Sequence, residues 1–271
     1  MKIIAYLSLL TLCSALHAQS YWFGGMTRVP GGIEGSVGSV VIGGQNNSSE
    51  AKQSESITEG GNTLSINKGE EYSGFSTFQL GVEAAYAWPI FELEGGLDLG
   101  FSDMSSDIKY NGLKLDSYVD SFIGLNLKLG GVLKYDFEPS DDLIITPFLR
   151  LGISLEYLTN EISLPTYGYY SSSYYTPSYL SGESFGNTVN NYSIGSALRW
   201  NGLVSSISLG KYQILSGDQE DSIIEPLYLR LSLGYVFDST ALSIGYKTEW
   251  DDTSFADWAG WALDANFEFR Y

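Results

Sequence analysis

The chain has 271 residues, and 32 acidic against 14 basic side chains give it a net charge of −18. Charged residues make up 17% and aromatics 14%, with 20 Tyr and 31 Gly, a balance that favours strands over helices. The acidity argues against a nucleic-acid binder, which needs a basic footprint for phosphate. The apolar content is too high for a disordered chain.

The first element reads as a secretion signal. Lys2 supplies a positive start, residues 3–12 are apolar apart from Ser8 and Thr11, and small residues follow up to Ala18. The apolar stretch is too short for a membrane-spanning helix, so residues 1–18 are expected to be a signal peptide cleaved after Ala18, with Ala15 as the second choice. Leu12 is too bulky for Cys13 to fit the usual lipid-attachment pattern. Cleavage removes the one Cys, the one His and Lys2, leaving 13 bases against 32 acids. No thiol or imidazole chemistry remains. Residues 19–32 are expected to form a short periplasmic lead.

From residue 33 onward the pattern has a period of two. A Gly-rich, weak strand covers 33–43. In 78–88, Phe78, Leu80, Val82, Ala84, Tyr86 and Trp88 alternate with Gln79, Gly81 and Glu83. In 91–101, Phe91, Leu93, Leu97, Leu99 and Phe101 alternate with Glu92, Glu94 and Asp98. The same alternation runs through 119–137, 145–157, 192–200, 227–237, 242–250 and 261–271, and a weaker strand covers 203–209. In the eight strong strands every charge falls on the phase opposite the apolar one.

A soluble sandwich also alternates, but two features favour a barrel in a bilayer. The strands reach about ten residues, the length a tilted strand needs to cross, whereas soluble strands average about 5–6. Aromatics also stand at both strand ends, as in a membrane girdle. Trp88, Phe91, Tyr135, Phe137, Trp200, Tyr235, Phe237 and Tyr271 adjoin short turns; Phe101, Tyr157, Tyr192, Trp250 and Trp261 adjoin long connections. The short turns, Pro89-Ile90, 138–142, Asn201-Gly202 and 238–240, alternate with long polar segments 44–74, 102–118, 158–191, 212–225 and 251–257. The expected fold is all-β: a transmembrane antiparallel up-and-down β-barrel of about ten strands over 33–271, with eight or twelve left open.

In these features the chain resembles bacterial outer-membrane β-barrel proteins. The ending Leu263-Asp264-Ala265-Asn266-Phe267-Glu268-Phe269-Arg270-Tyr271 resembles the terminal strand that the barrel-assembly machinery reads, with Tyr271 where Phe is usual. The resemblance implies the outer membrane of a diderm bacterium, contact with bilayer and lipopolysaccharide, and assembly through the strand carrying Phe269 and Tyr271. The strand count also resembles the omptin proteases. With no His left in the mature chain, however, Ser-His and Asp-His machinery is excluded. Paired carboxylates, Asp251-Asp252 or Asp103 with Asp107, keep a barrel hydrolase without His as a distant alternative, although on loops they read as solvated turn residues. No enzymatic activity, cofactor or metal is otherwise expected.

The inward phase carries Glu34, Glu83, Glu92, Glu94, Asp98, Asp120, Asp136, Glu156, Glu249, Asp264 and Glu268 against Lys128, Lys134, Arg150, Arg199, Arg230, Lys247 and Arg270. Charges in so narrow a lumen must pair or be wetted. Two readings stand open: a salt-bridged plug, or a narrow cation-preferring pore lined by Glu83, Glu92, Glu94, Asp98, Asp120, Lys128, Arg150, Arg199, Arg230, Lys247 and Glu249. Glu92, Glu94 and Asp98 lead this set, with Arg150 and Arg230 as their expected partners.

The long connections carry 17 acids against four Lys. The clusters Asp218, Glu220, Asp221 and Asp251, Asp252, Asp257 match no Ca²⁺-loop spacing and read as solvated acids. Residues 167–179 hold six tyrosines, Tyr167, Tyr169, Tyr170, Tyr174, Tyr175 and Tyr179, spaced by small residues. Such a loop suits an adaptable binding surface, so a surface adhesin is the alternative to a channel or structural barrel.

Overall fold

The computed structural model describes residues 25–32, 34–59, 62–105, 109–110, 112–114, 122–159, 184–217, 226–252 and 256–271. The expected signal peptide, Asp120, the Tyr-rich stretch 167–179 and the cluster Asp218, Glu220, Asp221 lie outside them, as do the side chains of Asp252 and Asp257.

Ten long strands follow one another: β1 (Gly35–Ala51), β2 (Glu71–Ala87), β3 (Phe91–Ser105), β4 (Phe122–Lys134), β5 (Leu143–Thr159), β6 (Ser184–Trp200), β7 (Leu203–Gly217), β8 (Leu227–Phe237), β9 (Thr240–Asp252) and β10 (Ala256–Arg270). Each pairs antiparallel with its chain neighbours, and β10 pairs with β1, so the sheet closes on itself. Closure satisfies every strand's backbone groups within the sheet, which a bilayer demands. Both weak strands of the sequence are full members of the wall, and the fold is a ten-stranded barrel.

The period-two pattern decides which side chains face where. Leu129, Leu233 and Ile244 are 57%, 59% and 60% exposed on the outside, whereas Glu92, Asp98 and Asn126 are fully buried inside. This inverts the usual soluble arrangement. In water such an apolar belt would be an aggregation surface; in lipid it is solvated.

At the short-turn end, Asn201 and Gly202 have φ of 48° and 83°. Two successive positive values are the type I′ turn that matches strand twist. The expected turn 138–142 is tighter than its sequence suggests. Phe137–Ser140 pairs with the start of β5, leaving only Asp141-Asp142 to turn.

At the other end the strands outrun the apolar pattern. β1 continues to Ala51, β2 starts at Glu71 and β7 runs to Gly217, so the long connections are shorter than 44–74 and 212–225. Alternation stops where the bilayer stops, but the backbone ladder continues in water. The first connection folds into a hairpin, Glu55–Glu59 with Asn62–Ile66. Its second strand pairs with Lys109–Tyr110 of the next connection, which pairs with Leu113–Lys114. This small sheet is tied to the barrel at Glu70. Lys109 donates to the Glu70 carboxylate, and so do the Asn67 amide and side chain. These bonds, that of Lys109 first, hold the Glu70 carboxyl down at about 2.

Candidate functional site in the barrel lumen

Strand alternation brings Glu83, Glu92, Glu94, Asp98, Lys128, Arg150, Arg199, Arg230, Lys247 and Glu249 into one enclosed interior. Glu34, also on the inward phase, lies before β1 and is exposed.

The lumen is not filled by the wall alone. Residues 25–32, part of the expected periplasmic lead, lie inside the barrel, with 26–31 buried. From the start of β1 the chain runs backward up the lumen. Gly32 N–H donates to Asp136 (3.1 Å), Gly31 N–H to Glu92 (2.9 Å) and Thr27 N–H to Glu83 (2.9 Å), while Gly25 meets Tyr212 (3.3 Å).

The segment forms no strand with the wall, so its backbone groups are satisfied by side chains. Wall acids accept from its amides. Wall arginines donate to its carbonyls: Arg150 to Met26 and Arg28 (3.1 and 2.8 Å), Arg199 to Val29 (3.2 Å) and Arg230 to Thr27 (3.4 Å). Buried backbone groups need such partners, and Pro30 has no amide to satisfy. Val29 is 2% exposed in an apolar cluster with Val132, Phe148, Ala197 and Val204, worth about 1.5 kcal/mol of transfer free energy. Gly31 and Gly32 have φ of 89° and 65°, and a Cβ would lie 2.4 Å from Thr146 on the first and 2.3 Å from Arg199 on the second.

The ion pairs follow the same geometry. Arg28 of the segment pairs with Glu92, which also meets Lys134 (3.0 Å). Lys128 bridges Glu83 and Asp98 (2.8 and 2.9 Å), and Arg150 meets Glu94 (2.8 Å). Arg230 does not pair with the β3 acids. Both its terminal nitrogens bind Asp264, each at 2.7 Å, because adjacent strands β8 and β9 bring it toward β10 rather than across to β3. Arg28 escaped the sequence reading because the segment has no periodicity. Its trace is a basic residue among Gly and Pro directly before the first strand. Tyr212 and Tyr228, stacked at 4.7 Å, also point inward.

Beside the segment a cavity of about 30 Å³ remains, lined by Gly25, Thr27, Arg150, Tyr212 and Lys247 among others. That is room for a water or two. Among the described residues no three His, Cys, Asp or Glu side chains converge as a metal centre.

The closed wall, apolar belt and polar interior define an outer-membrane β-barrel protein. The transport unit of the autotransporter AIDA-I from Escherichia coli shares this fold, with a TM-score of 0.54 and 9% identity over 96% of this chain and 98% of that one. The translocator domain of the autotransporter NalP from Neisseria meningitidis matches at a TM-score of 0.47 and 13% identity, covering 96% and 97%. The outer-membrane protease OmpT from Escherichia coli matches at 0.40 and 8%, covering 90% and 99%. At these identities the likeness is one of fold. No protein-family model and no curated protein matches the chain.

Proposed function

We propose that this protein is a structural outer-membrane barrel held shut by its own N-terminal segment, with its long connections presented at the cell surface. One observation carries the reading: residues 25–32 occupy the lumen and bind several of the wall's charged side chains, with a cavity of about 30 Å³ beside them. A wall charge used to hold a backbone is not free to pass ions. Residues 19–271 contain no His for a general base, and no catalytic role is proposed. Assembly is proposed to use the terminal strand, where Phe269 and Tyr271 face outward.

The second reading is a narrow cation-preferring channel that conducts when the segment leaves. It is favoured by the segment's lack of any backbone ladder to the wall: departure breaks side-chain bonds only. It would also take away Arg28 and tip the lumen toward its acids. Single-channel recording of the refolded mature chain separates the two. A silent bilayer from folded wild type, with conductance in a chain lacking residues 25–32, is the expected result. Discrete cation-selective steps from wild type, altered in Glu92→Gln, Glu94→Gln or Asp98→Asn, would replace closure by the channel.

A further inference from the structure

Nearly every buried carboxylate of the described lumen has a basic partner within 4 Å. Glu83 and Asp98 share Lys128, Glu92 has Arg28 and Lys134, Glu94 has Arg150, Glu249 has Lys247, Asp264 has Arg230, and Glu268 reaches Arg270 at 3.7 Å. Glu156 of β5 is the exception among the described residues. It is 4% exposed, and its Oε2 is buried with no hydrogen-bond donor. Lys247, a base that acts on it electrostatically, is paired with Glu249 and donates to Tyr212.

The register around Glu156 is oxygen-rich. Asn126 of β4 stands directly opposite it on one side and Asn187 of β6 on the other. Asn126 is itself fully buried, with neither side-chain atom partnered. Directly opposed side chains hold their Cβ atoms about 5 Å apart. That spacing lets a carboxylate and flanking amide oxygens close on one ion with bonds of about 2.4 Å. Water can satisfy hydrogen bonds there but cannot balance the carboxylate's charge. A cation does both.

We infer that Glu156, Asn126 and Asn187 form a cation site in the outer half of the lumen, selective for a hard, oxygen-preferring ion of the Ca²⁺ or Na⁺ class. The ligand set is all oxygen, with no sulfur or imidazole, which disfavours the softer transition metals. The carboxylate supplies the charge and the two amides fix the ion between three strands. The site therefore staples β4, β5 and β6. It is independent of the segment 25–32, so its test and the conductance test fail separately.

The refolded mature chain is titrated in detergent micelles with CaCl₂ or NaCl, with choline chloride holding ionic strength constant. The thermal unfolding midpoint is expected to rise saturably by about 5 °C with one of the two ions. The ion that acts at lower concentration is the resident one. The rise should vanish in Glu156→Gln, which removes the charge and keeps the shape. Asn126→Asp, adding a second carboxylate, should lower the half-saturating concentration about tenfold, a change of about 1.4 kcal/mol. A wild type indifferent to both ions would overturn the site and mean that Glu156 holds a proton instead. A Glu156→Gln chain responding like wild type would overturn it too, placing the effect on the surface acids. If Glu156→Gln does not fold, unchanged half-saturation in Asn126→Asp does the same.

Discussion

Arg28 is the residue on which the lumen's charge pattern turns. It brings the one described positive charge of the segment against Glu92, and both side chains are buried. Removing one member of a buried pair leaves the other uncompensated. In Arg28→Ala the remaining contact from Lys134 softens the loss, so a destabilisation of about 2–3 kcal/mol is expected in urea unfolding. Arg28→Lys should recover only part of it, because a single ammonium replaces a planar fork. Gly31→Ala acts through the backbone instead. Its positive φ and the Thr146 side chain at 2.4 Å leave no room for a methyl group. The segment should then shift, and deuterium uptake of the amides at 26–32 should rise, with the wall strands unaffected.

Glu70 belongs to the same scale but lies outside the bilayer. Its folded carboxyl is lowered to about 2 by Lys109 and Asn67. A depressed carboxyl stabilises the folded state above its unfolded pKa, and the benefit fades as pH falls toward the folded value. Docking of the small outer sheet should hold steady from pH 8 to about 5. It should weaken below that and be lost near pH 2. Exchange of the amides at 62–66 measured against pH reads this directly. High salt should weaken it as well, since the pair is partly exposed to solvent.

At the scale of elements, the short turns set register and the long connections do not. Asn201-Gly202 links β6 to β7 with both residues at positive φ, and Gly202 packs where a Cβ would lie 2.8 Å from the Tyr235 ring. Gly202→Val should cost about 2 kcal/mol and slow refolding, read as a delay in the appearance of the heat-modifiable band on SDS gels. Turn chemistry was legible from two residues. Strand length was not, because the ladder continues past the apolar belt where hydropathy carries no signal. The hairpin Glu55–Glu59 with Asn62–Ile66 was hidden because its apolar residues, Ile57, Leu64 and Ile66, are too few among polar neighbours to read as strands.

At the scale of the whole molecule, wall and segment are separable. The wall closes through backbone bonds, whereas the segment holds on through side chains alone. A chain lacking residues 25–32 should therefore still fold and still shift on SDS gels when boiled. Its melting point should be lower, because Glu83, Glu92 and Arg150 lose the segment's contacts and keep only Lys128, Lys134 and Glu94. Failure of that chain to reach a folded band would mean that the segment is part of the folding nucleus rather than a late occupant.

The sequence by itself determined the wall. A period of two over about ten residues, aromatics at the strand ends and alternating short and long connections specify a closed barrel with an apolar outside, because facing in a strand is a local property. It also named most of the inward charges. What only the tertiary structure decided is who meets whom inside. Arg150 reaches Glu94 as expected, yet Arg230 turns to Asp264, and Glu92 is met by a residue from outside the wall. These pairings depend on strand tilt and stagger around a closed cylinder, which no single strand encodes. The lumen segment was invisible for a related reason. It has no periodicity of its own, and its conformation is dictated entirely by acids and arginines that the barrel assembles around it.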